Sequence, residues 1–106
     1  MPEPSKRLQM LEKMIAAGTR DPFVRYARAL ELRGLGQLDD ALTALSEVKA
    51  LHPEYVPTFL MAGQIAIELE RSDDARTWLS EGLRAAVAAG DEHARSELQT
   101  ALDSLG

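Results

Sequence analysis

Two carboxylate pairs, Asp39-Asp40 and Asp73-Asp74, are the residues in this chain best suited by type to do chemistry. Paired carboxylates can share a proton and act as general acid and base. His52 and His93 are the other candidates, as metal ligands or proton carriers. Each chemistry meets an obstacle. Both Asp pairs fall in the first turn of a helix-forming stretch, where the helix dipole stabilises negative charge. His52 precedes Pro53 in an expected turn and His93 opens the last helical stretch, with no patterned third ligand to complete a metal site. Gly34-Leu35-Gly36 lacks the strand context and the Lys-Ser/Thr of a phosphate loop. No Ser-His-Asp arrangement stands out. No catalytic residue, metal ligand or cofactor is expected, and the chain reads as a non-enzyme.

The elements that would carry these residues follow a period. Asp39-Asp40-Ala41 recurs 34 residues later as Asp73-Asp74-Ala75, and Ala29, Leu35 and Leu45 keep the same register with Gly63, Leu69 and Leu79. A fixed period of this size marks a repeat architecture, in which helix pairs stack because none can bury its apolar face alone. Residues 5–17 read as a first helix, with Leu8, Leu11, Met14 and Ile15 on one stripe and Gly18 at its end. Asp21-Pro22 signals the second, to about Arg33, because Asp caps free N–H groups and Pro suits the first helical position. The third runs from about Leu38 to Leu51 and the fourth from Pro57 to about Glu70. Ser72 is expected to cap the fifth, which runs to about Ala89, and Gly90-Asp91 then stops one helix and caps the last. No segment alternates with the period of a strand. Short links predict antiparallel neighbours.

The chain has 106 residues, the length of one domain, and is 45% apolar, enough for a packed core. It has no cysteine, which removes disulfides, thiolate nucleophiles and cysteine-based zinc sites. No run approaches the roughly 18 apolar residues of a membrane helix. Charges interrupt the N-terminal stretch too early for a signal peptide, so a cytoplasmic location and no membrane partner are expected. The net charge of -5 is uneven: residues 1–33 hold seven Lys/Arg against four acids, and the remainder five against thirteen. An acidic protein is a poor general binder of nucleic acid, whose phosphates supply most of that affinity.

The second period resembles a tetratricopeptide repeat. That motif places a large aromatic, a Leu-Gly pair three residues on and an aromatic three later, then a small residue followed four later by a large one. Phe59, Ala62-Gly63, Ala66, Ala75 and Leu79 fill this row, and Gly36, Ala41, Leu45, Val48 and Pro53 match the second half of the first period. Small residues at Ala41 and Gly63 would let helices cross closely. The first unit departs at Arg25 and Arg28, which replace an aromatic and a Leu, and at Ala29, which replaces Gly. The second lacks the closing Pro, with Val87 there, so the fifth helix should run on by a turn. The resemblance covers about residues 22–90. It implies an all-α fold: a short antiparallel helix-turn-helix array, an α-solenoid, with flanking terminal helices. Residues 1–106 would form one domain, with an N-terminal helix over 5–17, repeats over 22–54 and 56–90, and a capping helix over 91–105.

By the same resemblance, the first helix of each pair lines a concave face. This assigns Tyr26, Leu30 and Arg33, with Leu60, Gln64 and Ile67, to a groove for a protein or peptide partner. Tyr26, Leu30 and Leu60 stand where some relatives carry the Lys, Arg and Asn of a carboxylate clamp, so no clamp is expected. Arg33 and Gln64 would orient the occupant. Two units is a short array, so either the flanking helices complete the core or a second copy does. A protein-interaction scaffold is the leading reading; a structural homo-oligomer, including a homodimer, is the alternative. Trp78, the sole tryptophan, is expected to pack under the last helix.

Overall fold

The computed structural model describes residues 5–106 and contains six α-helices and no strand among them: α1 (Lys6–Ala16), α2 (Pro22–Gly34), α3 (Leu38–Leu51), α4 (Pro57–Glu68), α5 (Ser72–Ala89) and α6 (Glu92–Leu105). The fold is the all-α antiparallel array expected. Residues 1–4, which open the N-terminal stretch, lie outside the described residues.

Local chemistry sets most boundaries. Ser5 Oγ accepts the Leu8 amide at 2.9 Å, so Ser5 caps α1 rather than starting it. Asp21 accepts the Phe23 amide at 2.9 Å with Pro22 at the first helical position, as the Asp-Pro pair predicts. Gly90 takes a left-handed φ of 69° and Asp91 caps the Ala94 amide at 3.0 Å, which turns the chain back on itself. Two expectations need correction. Ser72 lies inside α5, and Arg71, which makes no side-chain cap bond, precedes the helix. The fourth helix ends at Glu68, two residues early, because Glu70 adopts φ 59°. Glu70 is the register counterpart of Gly36, whose φ is 80°. Only Gly visits that region without a steric penalty. Glu70→Gly should therefore raise stability by about 0.5–1 kcal/mol in urea unfolding; a lower midpoint would contradict the strain.

Neighbouring helices pack in order. α3 packs on both α2 and α4, and α5 on both α4 and α6, while α1 runs alongside α2 alone. One core cluster joins Leu8, Ala29, Leu32, Ala41, Leu45 and Ile65; a second joins Phe59, Leu79, Ala86 and Leu98. The flanking helices thus contribute Leu8 and Leu98 to the core. α5 has 18 residues against 14 in α3, the extra turn expected where Val87 replaces a closing Pro.

The crossings need small residues. A Cβ on Gly63 would clash with Leu79, and one on Gly82 would clash with Phe59 Cβ and come within 2.9 Å of Leu98. Gly82 lies in register with Val48, and Phe59 with Arg25. The pair that carries the ring has the glycine, and the pair that lacks the ring has the valine. Arg25 and Arg28, the motif departures, stay half-exposed and reach Glu47 at 3.8 Å and Glu12 at 3.5 Å. Trp78 packs against Phe59, with ring centroids 6.2 Å apart, and under Lys49 of α3 at 5.2 Å. Its aromatic and cationic neighbours thus come from α4 and α3, not from the last helix.

Candidate functional site

α2, α4 and α6 share one side of the array, and a cleft of about 320 Å³ opens there. Tyr26 from α2 and Leu60 and Gln64 from α4 line one flank. His93, Ala94 and Glu97 from α6 line the other, with Met61 and Leu98 also contributing. A spacing of four places Leu60 and Gln64 one turn apart on the same helical face. A second depression continues from Leu60 and Gln64 past Glu97 to Thr100. The lining is mainly apolar with a few polar groups, the usual make-up of a binding cleft.

Three of the six residues assigned to the groove, Tyr26, Leu60 and Gln64, come together in the cleft. Leu30, Arg33 and Ile67 do not line it. Leu30 is half-buried, and Ile67 is exposed on the next turn of α4. Arg33 is engaged internally: Nη2 pairs with Glu68 and Nη1 donates to Met61 Sδ at 2.9 Å. Its guanidinium is committed to α4 rather than free to orient an occupant. None of the six assigned residues belongs to α6, which forms the opposite wall. The Gly90-Asp91 turn was its signal: a tight reversal after α5 returns α6 alongside α4.

Two tyrosines stand at this side of the array. Burial raises the Tyr26 pKa, the nearby Tyr55 raises it further, and Arg33 opposes the shift. Tyr55, whose ring stands edge-on to Tyr26 at 5.7 Å, is raised by burial and by Asp21. Both phenols keep their protons near neutrality and can donate hydrogen bonds. Asp91 is used as the α6 cap, and His93 Nε2 lies 2.9 Å from a Glu97 carboxylate oxygen across one exposed turn. The set offers apolar contact and hydrogen bonding. His52, at the end of α3, and His93 do not come together with Asp or Glu residues as a metal-binding group among the described residues. Asp39-Asp40 and Asp73-Asp74 sit in the first turns of α3 and α5, and Asp39 accepts from Arg71 Nη2 at 2.7 Å.

A family model for the tetratricopeptide repeat matches residues 32–102. The chain belongs to the tetratricopeptide repeat family. Members of this family generally serve as protein-interaction modules. Among solved structures, a tetratricopeptide repeat domain protein from Salinibacter ruber is 34% identical, covering 80% of this chain and 86% of its own, with TM-score 0.76. A Bordetella parapertussis protein is 28% identical, covering 92% and 85%, with TM-score 0.79. PcrH, in complex with the chaperone binding region of PopD, is 14% identical, covers 92% and 74%, and has TM-score 0.85, a likeness of fold. A search of curated proteins returned no match. The family match begins inside α2 and ends inside α6, so it starts later than the 22–90 stretch read from the motif and runs past its end into the last helix.

Proposed function

We propose that this tetratricopeptide repeat protein is a non-enzymatic scaffold that receives an apolar segment of a protein partner in the α2–α4–α6 cleft. The observation that carries this reading is the cleft itself, an apolar floor of Leu60, Met61 and Leu98 ringed by the Tyr26 hydroxyl, the Gln64 amide and the polar side chains of α6. An extended or helical segment could bury apolar side chains there while Tyr26 and Gln64 satisfy its backbone. Ile67 and Leu30 extend the apolar strip along the same two helices. PcrH binds a segment of PopD on the same fold, which supports a segment as the kind of occupant. The division into units 22–54 and 56–90 and a cytoplasmic setting belong to the same proposal.

Gln64→Trp tests the cleft with little risk to the fold, because Gln64 is exposed and lines both depressions. A peptide selected from a displayed random library against the wild-type protein should bind this variant about 10-fold or more weakly, a change of about 1.4 kcal/mol. Thermal melting should be unchanged. Equal affinity would place the binding surface elsewhere.

A further inference from the structure

The 34-residue register extends backwards into α1. Leu11, Leu45 and Leu79 are spaced by it, and all three are buried. α1 is therefore equivalent to α3 and α5, the second helix of each pair. The same register equates Met10 with Ala44 and Trp78, and Met14 with Val48 and Gly82. Ala44, Val48 and Gly82 are buried, and Trp78 is half-buried. Met10 is 63% exposed and Met14 42%. The reason lies in the packing: the Gly82 position faces Phe59 of α4, the first helix of its own pair, whereas α1 runs alongside α2 alone. The outer side of α1 is a packing face that no first-type helix covers among the described residues.

Its chemistry is specific. Lys6, Met10, Lys13, Met14 and Ala17 connect through steps of three and four, so they form one surface, and all are exposed. On the helix Lys6 and Lys13 share one edge of this face, and Met10 and Met14 lie beside them toward the other. Methionine adapts its shape readily to a docking partner. The other end of the array differs: Gln99 and Asp103 of α6 are exposed, polar and outside the cleft, as on a solvating terminal helix. That end offers no apolar complement to Met10 and Met14. Two copies of α1 packed across a two-fold axis would bring their lysines together.

We propose that this face docks an acidic amphipathic helix of a partner protein, which takes the position of the first helix of a pair against α1. Apolar side chains at helical spacing would cover Met10 and Met14, and flanking Asp or Glu would meet Lys6 and Lys13. This surface is separate from the cleft and does not depend on it.

Methyl-labelled methionines give a direct test, because Met10 and Met14 report the α1 face while Met61 reports the cleft. Two synthetic helical peptides share one apolar stripe, one flanked by Glu and the other by Lys. The acidic peptide should shift the Met10 and Met14 methyl signals and leave Met61 in place. Binding should weaken several-fold from about 0.01 M to about 1 M salt, as the Debye length falls from about 30 Å to about 3 Å. Lys6→Glu with Lys13→Glu, both at exposed positions, should reverse the preference to the basic peptide. The proposal is overturned if neither peptide moves Met10 and Met14, if both move them equally, or if Met61 alone responds. Shifts that follow protein concentration without peptide would make a second copy the occupant and overturn it as well.

Discussion

Gly82→Val should lower stability by about 1–3 kcal/mol, the usual cost of forcing bulk into a well-packed core. For domains of about this size, that corresponds to roughly 4–8 °C of melting temperature per kcal/mol. The added Cβ would meet Phe59 Cβ, which the α4 backbone anchors, and Leu98 Cδ2 at 2.9 Å. Neither α4 nor α6 can yield without disturbing the second core cluster. Val48, at the same register position in the α2–α3 pair, is fully buried without such a clash because Arg25 stands where Phe59 would be. The partnership is testable by a double-mutant cycle. Phe59→Ala alone should cost about 3–5 kcal/mol through the cavity it leaves. Combined with Gly82→Val, the loss should fall short of the sum by about 0.5–3 kcal/mol, because each change relieves the other. Strict additivity in urea unfolding would contradict the Phe59–Gly82 packing. Gly63→Leu should also destabilise, since Leu79 fills the space opposite Gly63 and is fully buried.

The second large effect concerns the cleft. Tyr26→Ala with Leu60→Ala should weaken a bound partner segment about 10-fold or more, because truncated interface anchors often cost over about 1 kcal/mol each. Tyr26 packs on the first core cluster and Leu60 on the second, and both are half-buried. The double variant should therefore melt somewhat earlier while remaining helical. Titrating the selected segment and following circular dichroism on the same sample separates the two effects. Unchanged affinity in a folded double variant would remove both residues from the binding surface.

Helix positions were readable because the signals are local. Asp21-Pro22 and Gly90-Asp91 act through their own backbone, and the tetratricopeptide resemblance marks Gly63 as a small residue at a helix crossing, where the structure sets Leu79 against it. What escaped depends on partners distant in sequence. Arg33 looks free in sequence, yet Glu68 and Met61 approach it only when α2 and α4 lie side by side. Gly82 carries no signal of its own in the sequence, and its role appears only when Phe59 and Leu98 converge on it. Glu70 carries no glycine signal at its left-handed position, so the fourth helix was read two residues too long. The α6 residues of the cleft are the least legible part: polar residues on a terminal helix read as a solvated cap, and His93 and Glu97 join the site only because α6 returns alongside α4.

Amide chemical-shift mapping with a segment selected against the wild-type protein decides whether a partner segment lies between α2, α4 and α6. The largest shifts should fall at Tyr26, Leu60, Gln64, Ala94 and Glu97, while exposed residues of α5 such as Arg76 and Arg84 stay unmoved. Shifts concentrated on α3 and α5, with the cleft residues silent, would contradict that placement.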